Sequence, residues 1–117
     1  IVQGQVDGGA AQGIGQALYE HMAYDPASGQ ALSASFMDYA LPRVDGFRAF
    51  KTRFDTSVPC KTNALGVKGV GEAGAIPVAG LVAEAVDDAL APFGVRVREV
   101  PLSPDRILQL INRSPAV

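Results

Sequence analysis

The sequence predicts an α+β fold, a small antiparallel sheet with two or three helices, and three observations lead there. Apolar residues recur at helical spacing in the first fifth and the last third of the chain. Segments between and beyond them alternate apolar with polar residues, and a turn cluster joins two such segments as a hairpin. At 117 residues, with 48% hydrophobic and 19% charged, the chain falls on the globular side of the boundary with disorder and suits one compact unit.

The elements follow in order. Val6, Ala10, Gly13, Ile14, Ala17 and Leu18 predict a helix from about Gly9 to Leu18. Gly13 and Gly15 inside it each cost about 1 kcal/mol relative to Ala, which points either to close helix packing or to close approach of a ligand. Glu20 to Tyr24, the turn cluster Asp25-Pro26-Ala27-Ser28-Gly29 and Gln30 to Ser35 predict the hairpin, and Arg48 to Asp55 a third strand after a loop. Val78, Leu81, Val82, Ala85 and Ala89 share one face of a predicted helix from about Gly74 to Leu90. Pro92 and Gly94 end it, and Val95 to Val100 alternate as a further strand. Ser103, as N-cap, and Pro104, in the first turn, start a last short helix whose apolar face is Ile107, Leu108, Leu110 and Ile111.

Ten Lys and Arg against 12 Asp and Glu give a formal charge of −2 with no run of one sign, so no nucleic-acid footprint is present. One cysteine, Cys60, and one histidine, His21, form neither an internal disulfide nor a zinc or iron–sulfur ligand set. His21 has no nucleophile elbow to serve, and Cys60 reads as a small apolar residue rather than a reactive thiol. No apolar run approaches the roughly 20 residues of a membrane span and no signal peptide is recognisable, which predicts a cytoplasmic location. The chain opens on Ile1 inside an apparent motif, so a fragment or processed segment is expected.

The sharpest local signal is Lys68-Gly69-Val70-Gly71-Glu72-Ala73-Gly74, a glycine-rich stretch leading into a predicted helix. Exposed N–H groups and the positive end of a helix dipole favour an anion there. Gly69, Gly71 and Gly74 also satisfy the dinucleotide pattern G-x-G-x-x-G, with Glu99 as a ribose acceptor. Against that rival, Asn63 to Val67 is a poor central strand, and Glu72 would set a carboxylate beside the diphosphate. Without further context, Glu72 could equally be a first-turn glutamate favoured by the dipole alone.

Two separated stretches decide between these readings. Gly4-Gln5-Val6-Asp7-Gly8-Gly9-Ala10-Ala11-Gln12-Gly13-Ile14-Gly15-Gln16-Ala17-Leu18-Tyr19-Glu20 and Gly66-Val67-Lys68-Gly69-Val70-Gly71-Glu72-Ala73 together resemble the molybdenum hydroxylases, the xanthine dehydrogenase, aldehyde oxidase and CO dehydrogenase family. The resemblance covers nearly all of the chain, and implies that residues 1–117 are a carboxy-terminal segment of the molybdopterin-binding large subunit. It implies Glu72 as the active-site base, and Gln12 with the backbone of Lys68, Gly69, Val70 and Gly71 as contacts of the cofactor. That cofactor is molybdopterin with molybdenum, alone or as its cytosine dinucleotide. The implied reaction is hydroxylation of an electron-poor carbon in an aldehyde, purine or N-heterocycle, with water as oxygen source, or oxidation of CO. Partners implied are the remainder of the large subunit and the subunits or domains that carry iron–sulfur clusters and FAD. A chain lacking these is expected to bind molybdopterin weakly or not at all and to show no turnover. The opposing expectation is an interaction module that keeps the fold without the chemistry.

Overall fold

Two helices pressed together through glycines organise the chain. The computed structural model describes residues 1–113. Helix α1 spans Val2–Leu18, α2 spans Val78–Leu90 and α3 spans Pro104–Arg113, with single 3-10 turns at Val44–Gly46 and Ala91–Phe93. A methyl group placed at Gly13 would lie 2.7 Å from the Val78 Cβ, and one at Gly9 would lie 2.9 Å from the Ala75 nitrogen. At Gly74 it would overlap the Val6 carbonyl. Gly15 is closed in by Glu20 and Pro42. Close packing within the chain therefore accounts for Gly13 and Gly15.

Helix α1 begins seven residues before the expected start at Gly9. Gly4, Gly8 and Gly9 lower the intrinsic helix preference of its first half, and contact with the 74–78 segment compensates. Helix α2 begins later than expected, at Val78 rather than Gly74, and its phase differs too. The side facing the chain carries Ala79, Val82, Ala83, Val86 and Leu90, while Leu81, Ala85 and Ala89 are exposed. Helix α3 matches its expectation, with the Ser103 hydroxyl accepting from the Arg106 N–H at 3.3 Å.

The predicted antiparallel sheet is absent among the described residues, so the α+β class is overturned: the regular structure is helical, with one isolated bridge between Tyr24 and Ala31. The hairpin turn itself forms, with Asp25 N–H donating to the Gln30 carbonyl and Leu32 N–H to the Ala23 carbonyl, both at 2.8 Å. Beyond it the ladder stops, because the Ser33 hydroxyl takes the Ala23 N–H and donates to the His21 carbonyl. Residues 48–55 run extended beside α1, tied by the Thr52 hydroxyl to Asp7. Residues 95–100 find a carboxylate instead of a strand. Asp87 of α2 accepts the Val97 N–H at 2.6 Å and pairs with Arg96 at 3.1 Å. Alternation alone does not build a strand, which also needs a neighbouring backbone, and no backbone–backbone hydrogen bond joins residues 48–55 or 95–100 to one among the described residues.

The buried apolar side chains among the described residues are Ala17, Leu90, Val95 and Leu102, a small core to which α1 and α2 each contribute a residue near the carboxy-terminal end. The Leu102 N–H donates to the Ala17 carbonyl at 2.6 Å. The radius of gyration is 18.2 Å, against about 13 Å for a compact chain of this length. The accessible surface is 9105 Å², where roughly 6,100 Å² is usual for this mass. Phe36, Met37, Leu65, Val44 and Ile76 are among the large apolar residues left at least three-quarters exposed.

Replacing Gly74 with Ala sets a methyl group against the Val6 carbonyl, with main chain on both sides. A loss of about 2 to 4 kcal/mol is expected from such overpacking, measured by urea denaturation of the full-length protein; a loss within about 0.5 kcal/mol would contradict the packing described. The isolated 117-residue chain is expected to bind a hydrophobic dye and to melt without a sharp transition, as calorimetry would register.

Candidate functional site

The glycine-rich segment is approached through a loop that braces itself. Gly66 takes a left-handed conformation with φ of 66°, and its carbonyl accepts the Cys60 N–H at 3.0 Å. The Asn63 amide bonds Val67 in both directions, accepting its N–H at 3.1 Å and donating to its carbonyl at 3.0 Å. The Lys68 ammonium turns back onto the Val58 carbonyl at 2.5 Å. The Cys60 thiol is held below its ordinary pKa by the Thr62 hydroxyl, 3.1 Å away.

From Gly71 to Pro77 the chain makes consecutive turns. Ala73 N–H donates to the Val70 carbonyl at 3.2 Å, and the Glu72 carbonyl accepts from Ala75 and Ile76 at 3.0 and 3.1 Å. The first residue of α2 thus lies beyond Pro77, and the glycine segment does not open directly onto a helix amino terminus. Proline at that junction has no N–H to offer, so the expected combination of helix dipole and free N–H groups at Gly69 to Gly74 is not built. The dinucleotide reading fails on the same ground: no strand precedes Gly69, and Glu99 is ion-paired with Arg106.

Glycines in this segment divide by what surrounds them. Gly74 is pressed on Val6, whereas a methyl group at Gly69 or Gly71 would meet nothing within 4 Å. Neither Gly69 nor Gly71 takes a left-handed φ. Among the described residues, nothing requires either to be glycine. Both are exposed, as are Lys68 and Glu72, and Val70 is half-buried.

Helix α1 lies alongside this segment. The Gln5 side-chain amide donates to the Gly71 carbonyl at 2.8 Å, and Gly9 and Gly13 follow along the same contact. Gln12 is seven residues beyond Gln5, nearly two full turns, and so shares its face about 10 Å along the axis. Gln12 is exposed, and no hydrogen bond joins it to the glycine segment among the described residues. The structure therefore brings the two sequence motifs into contact through Gln5, a residue that sequence reasoning did not single out. Its i, i+7 spacing from Gln12 was the available signal.

A cavity of about 390 Å³ lies elsewhere, lined by His21, Glu99, Ser103, Asp105, Arg106 and Gln109 among others, with no residue of the glycine segment. Among the described residues, no three His, Cys, Asp or Glu side chains gather to hold a metal ion.

Comparison with known proteins gives this geometry a context. A family described as the molybdopterin cofactor-binding domain matches residues 1–47, which include Gln12. The large subunit of nicotine 6-hydroxylase from Paenarthrobacter nicotinovorans is 43% identical over 109 residues, covering 93% of this chain and 13% of that protein. The molybdenum-binding subunit of xanthine dehydrogenase from Escherichia coli O157:H7 is 34% identical over 109 residues, covering 93% of this chain and 14% of that protein. Among solved structures, quinoline 2-oxidoreductase from Pseudomonas putida 86 superposes with a TM-score of 0.89 at 38% identity, over 97% of this chain and 14% of that one. An alignment of 109 residues in a chain of 117 includes Gln12 and the whole 66–73 motif wherever it starts. The chain covers about one seventh of these relatives' length, and within that stretch it belongs to the molybdopterin-binding large subunits of the molybdenum hydroxylases.

Proposed function

We propose that this chain forms one wall of a molybdopterin site in which Glu72 is the general base of an oxidative hydroxylation. The observation that carries the reading is the junction of α1 with the glycine segment, which sets the Gln12 face of the helix beside the Glu72 loop. Gln12, through its amide, and the main chain of Lys68, Gly69, Val70 and Gly71 would hold the cofactor. The residues fit that role, because Gly69 and Gly71 leave the backbone open to close approach and no neighbour among the described residues occupies the space. When bound, the cofactor supplies the two-electron oxidation of the substrate carbon. Glu72 takes a proton from the hydroxyl that becomes the new oxygen of the product, which requires an ionised carboxylate within hydrogen-bond reach of it.

An N-heteroaromatic ring is the substrate class favoured here, since two of the similar proteins are named for acting on nicotine and quinoline. A carbon beside a ring nitrogen is electron-poor and accepts attack by oxygen. The remainder of the large subunit is the first partner, and it would cover the excess apolar surface described above. Iron–sulfur and flavin subunits or domains would then carry the electrons away. The excess surface also weighs against a self-contained interaction module, which would bury its own core.

In the full-length protein, Glu72→Gln is expected to lower turnover more than roughly a hundredfold at full molybdenum content. Near-normal turnover at full loading would refute the base assignment. Gly69→Ala meets no atom of this chain and should leave the thermal midpoint of the cofactor-free protein unchanged, while cofactor content measured by molybdenum analysis falls several-fold. Unchanged content would remove Gly69 from the cofactor contact.

A further inference from the structure

We infer that Gln5 is a positioning residue for Glu72, acting through the Gly71 carbonyl. The inference rests on Glu72 being the base and names the group that aims it. The Gly71 carbonyl and the Glu72 N–H belong to one rigid, planar peptide unit. The Gln5 amide, donating at 2.8 Å, fixes the direction of that plane. Since the acceptor is a carbonyl, the glutamine must present its NH₂ group, which settles which way the amide is turned. On the other side of the residue, the Glu72 carbonyl is held by the N–H groups of Ala75 and Ile76. Both peptide planes that flank the Glu72 Cα are thereby fixed, and with them the direction in which its side chain leaves the backbone.

The glycine contacts cannot do this alone. Gly74 against Val6, Gly9 against Ala75 and Gly13 against Val78 set how near α1 comes to the segment. All three contacts lie on the carboxy-terminal side of Glu72. Upstream of it, Gly69 and Gly71 have open surroundings among the described residues, and the Ala73-to-Val70 turn bond still leaves the Gly71–Glu72 peptide two orientations, between which the Gln5 bond selects. A side-chain bond from a helix to the carbonyl just before a base controls orientation and adds little to overall stability.

The test uses the full-length protein in its assembled enzyme, with Gln5→Met, which keeps length and removes the donor, and Gln5→Lys, which keeps a donor of similar reach. Gln5→Met is expected to retain molybdenum content and thermal midpoint, to lower kcat roughly tenfold with KM nearly unchanged, and to speed amide exchange in the peptide spanning residues 68–77 but not in α2. Gln5→Lys should recover most of the rate. In the double variant with Glu72→Gln, adding Gln5→Met should lower kcat no further, because the two act as one unit. Wild-type kcat and exchange in Gln5→Met, or loss of molybdenum in both Gln5 variants, would overturn the inference. So would a full additional tenfold loss in the double variant. If Glu72→Gln alone retained turnover, the base reading would fail separately, while exchange in the 68–77 peptide would still report whether Gln5 orders the loop.

Discussion

Main chain pressed against main chain, where α1 meets residues 74–78, is the constraint on which the rest of this structure depends. Val6 and Gly74 are in contact at their backbones, and a single methyl group there would overlap the Val6 carbonyl. Such proximity lets two motifs some sixty residues apart in sequence share one surface. It also explains why α1 tolerates so much glycine. Each glycine costs a helix about 1 kcal/mol relative to alanine, and dispersion contact along the whole approach offsets that cost. A helix with side chains at positions 9 and 13 would stand further off, and Gln5 would no longer reach the Gly71 carbonyl.

That contact is the main packing of one helix on another among the described residues. With Ala17, Leu90, Val95 and Leu102 as its buried apolar side chains among the described residues, the chain resembles a layer of a larger body more than a domain. The extended segments 48–55 and 95–100 fit the same description. Among the described residues, the first is tied by the Thr52 hydroxyl to Asp7, and the second by Asp87 and by the Glu99–Arg106 pair.

How much of this was legible follows from which signals are local. Helix α3 could be read because Ser103 and Pro104 mark its start chemically and no distant contact shifts it. The hairpin turn could be read for the same reason, since Asp25 accepts the N–H groups of Ala27 and Ser28 in a turn closed by Gly29. The phase of α2 could not. Its small apolar residues fill most positions, and which of them turn inward, Ala79, Val82, Ala83, Val86 and Leu90, is decided by distant contacts such as Val78 against Gly13. The first turns of α1 were missed because a glycine-rich stretch reads as loop unless its packing partner is known. Of the candidate site, Glu72, Gln12 and the Lys68 to Gly71 backbone were named from motif resemblance, whereas Gln5 emerged only from the contact.

Glycine shows most clearly where sequence reading ends. Gly66, Gly74 and Gly69 look alike in the sequence and stand within one nine-residue stretch. The first is required by a left-handed φ, the second by the Val6 carbonyl, and the third by nothing among the described residues. A pattern such as G-x-G-x-x-G treats Gly69, Gly71 and Gly74 as one device, yet here Gly74 belongs to the packing of α1 and the other two to open surface. Once Gly74 is assigned to the helix contact, the nucleotide fingerprint loses its third member, and no strand precedes the first. The two glycines that remain flank Val70 just before Glu72, on the side of the loop that α1 leaves open. An exposed pair of glycines without an internal cause, beside a carboxylate whose backbone is held from both directions, is what a site shared with another body requires: a rigid acid and a bare main chain for the incoming group to lie against.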